Sequence, residues 1–376
     1  MSRRGESIYK RKDGRWEARF IHHYENGEAK YRSVYAHSYT EAKAKRFEEI
    51  SQPECSHVTR VKYIAKFGEI SMLWLQDIRS CVKESTYSRY YRIVEHYINP
   101  TLAGIMLIKL DQQYIKSFSV RLKTSGGMNG SSLSDKTVSD ILCILKSIFR
   151  YGNDNGYPCE ILTKMKMSAF SKSEPKIITN TKREMIETEI FESESIGNDG
   201  RIKIGILLTL YTGIRIGELC GLRNSDIDLN ENTVSIKRTV QRISDLSLHT
   251  TSKTKVIIDK PKTVSSIRTI PIPSFLASIL TVYVSNPEFY LLTGTEEFYE
   301  PHRFYMRYKT FMKRLGLEEY TFHSLRHTFA TRCIDNGFDA KSLSEILGHS
   351  NVGTTLSLYV HPTLEQKRKQ MEKLKP

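Results

Sequence analysis

The chain has 376 residues, an apolar fraction of 39% and an excess of Lys and Arg over Asp and Glu of 57 − 42 = 15, which excludes disordered and fibrous classes and leaves room for two or three domains with their own cores. That positive excess is the footprint expected of a polyanion-binding protein, although a solvated basic surface gives the same total. The six cysteines form no Cys-x-x-Cys pair, the charged start at Ser2-Arg3-Arg4 has no apolar signal core, and the longest apolar stretch, near Gly205 to Leu210, is too short for a bilayer, so the expectation is a cytoplasmic protein with reduced thiols and no membrane contact.

Residues 7 to 35 alternate as three short strands, Ser7 to Lys12, Arg15 to His22 and Lys30 to Tyr35, with hairpin turns at Asp13-Gly14 and near Asn26-Gly27. A helix opened by Thr40 and carrying Ala42, Ala44 and Phe47 completes a three-stranded sheet-plus-helix unit over residues 1–56. So small a unit buries little and reads as a tethered module. Its basic residues Arg3, Arg4, Lys10, Arg11, Lys12, Arg15 and Arg19 are interleaved with Tyr9 and Trp16. That pattern suits either a face charged for solubility or a sheet that enters a DNA major groove.

From residue 61 to 155 the pattern is helical, over Phe67 to Arg79, Thr86 to Ile98, Asp111 to Lys123 and Asp135 to Tyr151, which predicts a four-helix domain. Ser134 is the expected N-cap of the last helix, whose Val138, Ile141, Leu142, Leu145 and Ile148 keep the spacing of a buried stripe. Lys83, Arg89, Arg92, Lys123 and Lys136 lie on polar faces or near loops, where solvation and contact with a DNA backbone are both open. Gly126 to Gly130 reads as a flexible loop, and residues 156–178, with Gly156, Pro158 and poor periodicity, as a linker.

Residues 179–376 carry a mixed α+β pattern. Ile204 to Tyr211 is a buried helix, and Thr212-Gly213-Ile214-Arg215-Ile216-Gly217-Glu218-Leu219 is a turn leading into another. Arg215 and Glu218 are three apart, so the carboxylate can hold the guanidinium in place, or the two form an ordinary surface ion pair. Thr233 to Arg238, Lys255 to Asp259 and Ser266 to Ile272 alternate like strands of one small antiparallel sheet. Lys262 sits in the turn between the last two, where a lysine is usually solvated but can swing into a cleft and deliver a proton. Helices follow over Ser274 to Tyr283, His302 to Leu315, Phe322 to Asp335, Ala340 to Leu347 and Val352 to Ser357. A last basic amphipathic helix, 363–375, carries Leu364, Met371 and Leu374.

Within Phe322 to Asp335, His323 and Arg326 share a helix face. Leu347-Gly348-His349 follows, and ten residues beyond His349 stands Tyr359. Imidazoles, guanidinium groups and a tyrosine hydroxyl make a kit for gripping and attacking a phosphate. His323 and His327 have the spacing of zinc ligands, but Ser324 stands where a zincin motif needs Glu and no third ligand is evident, so neither metal nor other cofactor is expected. His327 reads as a hydrogen-bonded core residue, and Tyr359 by itself as one more packed aromatic among 21 tyrosines.

Taken in order, Arg215, Lys262, His323, Arg326, His349 and Tyr359 resemble the active-site set of the tyrosine recombinases, the phage integrase family. The matching phrases are Thr-Gly-Ile-Arg-Ile-Gly-Glu-Leu around 215, Pro-Lys-Thr followed by Ser-Ile-Arg-Thr-Ile-Pro-Ile, His-Ser-Leu-Arg-His-Thr-Phe-Ala-Thr, Leu-Gly-His-Ser, and Tyr359. The resemblance implies a multidomain, mainly α protein with an arm-type DNA-binding domain at 1–56, a core-binding domain at 61–155 and a catalytic domain at 179–376. It implies that Arg215, Arg326 and His349 bind the scissile phosphate, Tyr359 attacks it to give a 3′-phosphotyrosine, Lys262 protonates the departing 5′ oxygen, and His323 manages the tyrosine proton. Glu218 would support Arg215.

Double-stranded DNA at core and arm sites, contacted by Arg11, Lys12, Arg15, Arg19, Lys83, Arg89, Arg92 and Lys136, is the implied partner. A homotetramer would exchange strands through a Holliday junction, with 363–375 docking on a neighbouring protomer and an accessory bending or excision protein assisting. The implied role is integration and excision of a mobile genetic element such as a phage or conjugative transposon. Two alternatives remain at this stage: a type IB-like topoisomerase, and a non-catalytic DNA-binding protein of the same fold, whose mark would be a missing member of the set.

Overall fold

Period-two alternation builds the first sheet. In the structure, a computed structural model that describes residues 7–25, 28–50, 65–157, 176–192, 197–246, 253–259, 267–359, 368 and 371–372, strands β1 (Ile8–Lys10), β2 (Trp16–Glu25) and β3 (Glu28–Ala36) pair antiparallel in the order β1-β2-β3. Ile8, Ala18 and Ala36 point to one face and are covered by α1 (Tyr39–Ile50) through Ala42, with Trp16 and Tyr39 meeting edge to face at 5.3 Å. The helix is opened by Ser38 rather than Thr40. Ser38 Oγ accepts from the Glu41 amide at 3.1 Å, as an N-cap does, and the Glu41 carboxylate reaches back past the cap to accept from the His37 amide at 3.2 Å.

The chain divides into two compact units, Met1–Ser171 and Lys172–Pro376. The helical part of the first comprises α2 (Phe67–Cys81), α3 (Glu84–Ile93), α4 (Asn99–Leu102), α5 (Gln112–Ser125) and α6 (Asp135–Asp154). Phe67, Ile70, Trp74, Ile115, Phe118, Ile141, Leu145 and Ile148 fill one core, and Phe67 meets Phe149 edge to face at 5.5 Å. Ser134 caps α6 as expected, its Oγ accepting from the Thr137 amide at 3.2 Å. The second helix does not end at Ile98. It loosens into a π turn over Val94–Ile98 and re-forms as α4, because Pro100 has no N–H to complete the α ladder across that point.

In the second unit α7 (Asn180–Phe191), absent from the sequence reading, packs on α8 (Asn198–Thr212), which is buried almost all round from Ile202 to Leu210. Beyond α9 (Ile216–Cys220), the expected single sheet is two. Strands β4 (Ile227–Asp228), β5 (Thr233–Ile236) and β8 (Arg268–Pro271) form one, and β6 (Thr239–Ser244) with β7 (Thr254–Asp259) forms another. The break falls at Lys237-Arg238, where both cations turn to the buried Asp226, Lys237 Nζ at 3.2 Å, while Arg238 also donates to Gly221 O at 3.0 Å. The chain leaves β5 there, and Lys255–Asp259 pairs with residues after the break instead of with β5 or β8.

Helices α10 (Ser274–Leu280), α11 (Pro301–Arg314), α12 (Phe322–Asp335), α13 (Ala340–Leu347) and α14 (Val352–Tyr359) complete the unit, with α12 packed on α8, α13 and α14. Residues 260–266, including Lys262, lie outside the described residues, as do most of 363–375 and the 158–175 part of the expected linker. Among the described residues no helix is long and apolar enough to cross a membrane.

Candidate active site

Two left-handed glycines frame the site. Gly213, at φ +64°, ends α8 and sets Arg215 at the start of α9, and a Cβ on it would come within 2.6 Å of Phe329 and 2.8 Å of Leu347. Gly348, at φ +66°, ends α13 against the Arg268 side chain, where a Cβ would lie at 3.0 Å. Both positions need glycine for backbone sign, and Gly213 needs it for space as well.

Between them a buried carboxylate gathers two guanidinium groups. Glu218 accepts from the Arg215 amide at 2.9 Å and from Arg215 Nη1 at 2.8 Å. From β8, Arg268 donates to the same carboxylate from Nη2 at 2.9 Å and Nη1 at 3.2 Å, and from Nε to Ile346 O at 2.6 Å. Arg215 Nη2 also reaches Gly348 O at 3.4 Å while part of its side chain stays open to solvent.

Arg326, on α12, is only 2% exposed, yet three of its N–H groups find acceptors: Gly213 O at 2.7 Å, Leu347 O at 2.8 Å and His349 Nε2 at 2.8 Å. Since a guanidinium only donates, His349 Nε2 accepts, and the proton sits on Nδ1, which donates to Thr355 Oγ1 at 2.8 Å. The imidazole is therefore held at both nitrogens.

One turn away on α12, His323 and His327 pack edge to face with 4.6 Å between centroids. Tyr359, 7% exposed at the end of α14, has its Oη 2.7 Å from His327 Nδ1. Arg215, Glu218, Arg326, His349 and Tyr359 thus converge, with His323 at the more open edge.

The electrostatics are those of an anion site. Three guanidinium groups face one carboxylate, 3 − 1 = 2 positive charges in surplus. Burial alone would raise the Glu218 pKa, but hydrogen bonds and charge from Arg268 and Arg215 outweigh it and hold the group below the ordinary carboxyl range. Burial and the nearby arginines push His349 down to about 4. Burial, His327, Arg326 and Arg215 push His323 down to about 4 as well, even though its outer edge meets solvent. His327 is lowered by burial and Arg326. Burial raises the Tyr359 hydroxyl while Arg326 and Arg215 pull it back. All three imidazoles are neutral near pH 7, and the tyrosine is protonated.

Three participants escaped the sequence reading. Arg268 sits in the Ser-Ile-Arg-Thr-Ile-Pro phrase, which marked it but gave it no role. His327 was assigned to the core, and its bond to Tyr359 spans 32 positions. Thr355 carries no sequence signal.

The residues expected to touch DNA lie in the other unit. Arg11 and Arg15 flank the β1–β2 turn, tied to Glu17 and Asp13 respectively at 2.8 Å, with Lys12 exposed between them. Arg19 lies over the Tyr31 ring at 4.4 Å on the sheet face opposite α1. Lys83 precedes α3, Arg89 and Arg92 are exposed on it, and Arg89 shares Asp140 with Lys136 of α6, at 2.8 and 3.9 Å.

Comparison with known proteins gives a consistent set of relatives. The Phage integrase family profile matches residues 188–366, and that of the Phage integrase, N-terminal SAM-like domain matches 66–122. The chain is 29% identical over 381 residues to a "Tyrosine recombinase XerC-like" of Caldanaerobacter subterraneus subsp. tengcongensis, covering 93% of each chain. Its fold is similar to that of the Tn1549 transposon integrase solved with transposon right end DNA, at TM-score 0.68 and 22% identity, over 82% of this chain and 99% of that one. It is also similar to lambda integrase, solved as a tetramer bound to a Holliday junction, at TM-score 0.53 and 16% identity, over 92% and 96% of the two chains.

Proposed function

We propose a reaction for this chain from the premise that it belongs to the phage integrase family and is a site-specific tyrosine recombinase. Tyr359 attacks a DNA phosphodiester, a 3′-phosphotyrosine forms, and the 5′-hydroxyl released from one strand is replaced by that of another. The observation that carries this is the placement of one buried tyrosine hydroxyl, bonded to a neutral imidazole, in the field of Arg326 and Arg215.

The work of each side chain follows from what it touches. A phosphodiester gains charge on its non-bridging oxygens as the nucleophile arrives, so fixed cationic donors lower the barrier. Arg215, braced by Glu218 and partly open, supplies one donor pair. Arg326 has five N–H hydrogens, of which three hold the framework, leaving 5 − 3 = 2 for phosphate. His349 donates to the phosphate from Nε2 only in its other tautomer, in which Thr355 donates to Nδ1 and Arg326 gives up its bond to the ring and turns that N–H to the phosphate as well. Lys262 protonates the departing 5′ oxygen, and the imidazole pair of α12 handles the tyrosine proton. The phosphotyrosine keeps the bond energy, so no ATP or metal is needed for resealing.

Assembly extends the same reading. Each protomer cuts one strand, so exchange between two duplexes takes a homotetramer and a Holliday junction, with 363–375 docking on a neighbour. Lambda integrase, of similar fold, has been solved as a tetramer bound to a Holliday junction. Lys83, Arg89, Arg92 and Lys136 would contact the backbone at the core site. The sheet face with Arg11, Lys12, Arg15 and Arg19 would read a distal arm site of a mobile element, with a bending or excision protein assisting.

The test is a nicked suicide duplex carrying the element's end. Wild type is expected to become covalently attached through a 3′-phosphotyrosine, and Tyr359→Phe to lose attachment altogether. Tight binding by wild type without attachment would refute the reading, and relaxation of supercoils without joining of two sites would move it to a topoisomerase.

A further inference from the structure

We infer that His327, rather than His323, is the catalytic residue that takes the proton from Tyr359 as it attacks. The inference rests on the strand-cleavage reading above and concerns a residue that the sequence assigns to the core. Among the described residues the tyrosine hydroxyl is hydrogen-bonded to His327 Nδ1, at 2.7 Å, and not to His323. That is the distance at which a general base must stand from the hydrogen it removes.

Burial and Arg326 keep this imidazole neutral before attack, so it has a lone pair with which to accept the proton. The titratable groups facing His327 are His323 and Arg326 from its own helix and Tyr359 from α14. The base role takes the tautomer with the ring hydrogen on Nε2, in which the protonated tyrosine hydroxyl donates and Nδ1 accepts across the 2.7 Å contact. His323 lies one helical turn towards the N-terminus, its ring against His327 at 4.6 Å and its edge towards solvent, so it reaches the tyrosine only through His327.

In the forward step the Oη–H bond breaks, its hydrogen passes to Nδ1, the Oη–P bond forms, and the P–O5′ bond breaks as Lys262 gives its proton to the 5′ oxygen. In the return step an incoming 5′-hydroxyl attacks, its proton goes to the Lys262 amine, and the His327 imidazolium gives its hydrogen back to Oη. Charge and protons balance over the pair of steps. Because two neighbouring imidazoles do not both charge readily, His323 stays neutral while His327 carries the proton, which makes it a positioning residue for the base.

The test is the single-turnover rate of covalent attachment by the full chain on the nicked duplex, read against pH, for wild type, His327→Asn, His327→Gln, His323→Asn and Lys262→Ala. Each is run again on a duplex whose 5′ leaving oxygen is replaced by sulfur, which departs without a proton. Asparagine and glutamine retain a hydrogen-bond acceptor but cannot take up a proton. Both His327 variants are expected to bind and melt like wild type, attach about 100-fold or more slowly, lose the acidic limb of the wild-type pH profile, and stay slow with sulfur, while Lys262→Ala recovers. Attachment at the wild-type rate by either His327 variant, recovery of both with sulfur, or the same pattern from His323→Asn instead would overturn the assignment. A wild type that binds and never attaches on either duplex would overturn the cleavage reading and the assignment together.

Discussion

Glu218 is the residue on which the site's cations depend. Its carboxylate is buried between Arg215 and Arg268, and removing one partner of a buried pair leaves the remaining charge without compensation. Because Arg215 still holds Glu218, Arg268→Ala should lower stability in urea unfolding by less than the about 3–5 kcal/mol of a fully uncompensated buried charge, and Arg268→Lys, which cannot present the same fork, by a smaller amount still. The pH dependence has a definite sign. Since the folded Glu218 pKa is below its unfolded value, the stabilisation is fully present above the unfolded carboxyl value and is lost as pH falls through the folded one. Acid titration of Arg268→Ala should show a smaller loss across that window than wild type, and an equal loss would mean that Arg215 alone holds the carboxylate. The Arg215–Glu218 contact was legible because three positions apart is a local rule. The Arg268 contact spans 50 positions and joins a strand to a helix start, so no local rule could supply it.

At the level of elements, the site is assembled by helix ends. The carbonyls of Gly213 and Leu347, orphaned at the C-termini of α8 and α13, are the acceptors that hold Arg326 inside the protein. Gly213→Ala would force a side chain into a left-handed position and against Phe329, with an expected cost of about 1–3 kcal/mol. Because Gly213 O bonds Arg326 directly, attachment to the nicked duplex should slow by more than the loss of folded protein explains. Thermal melting and single-turnover rates on the same preparation check this, and a variant that is merely less stable would show that the carbonyl tolerates displacement. Elements with a strong apolar period, such as α6 and α13, were legible from sequence alone, and α12 through the His-Ser-Leu-Arg-His phrase it carries, with α12 and α13 bounded correctly at both ends. The missed helix α7 buries only Ile186, so it has no stripe to read. The missed strand β6 exists because Asp226 captures Lys237 and Arg238, a tertiary event that composition does not record.

For the molecule as a whole, the excess of 57 − 42 = 15 positive charges was legible at once, but its sorting was not. Some of the basic residues expected on DNA are already engaged by neighbouring carboxylates, Arg11 by Glu17, Arg15 by Asp13 and Arg89 by Asp140, whereas Lys12 is exposed in its turn and Arg19 lies across Tyr31. Arg11 is held by a buried carboxylate, whereas the exposed pairs of Arg15 and Arg89 contribute little to stability and can be exchanged for phosphate contacts, so they do not prevent binding. They do make Lys12 and Arg19 the cleaner probes, since removing either leaves no carboxylate of those pairs uncompensated. If the sheet face grips a DNA backbone, Lys12→Ala with Arg19→Ala in the full chain should weaken binding to duplexes that include distal sites and reduce the slope of log affinity against log salt by about one for each phosphate that is no longer neutralised. On duplexes carrying only the core site the same pair of changes should alter the slope far less if, as proposed, binding there falls to the helical part of the first unit and to the second unit. Equal effects on both kinds of duplex, measured by salt titration of binding, would mean that the sheet adds general attraction to DNA and has no separate site of its own.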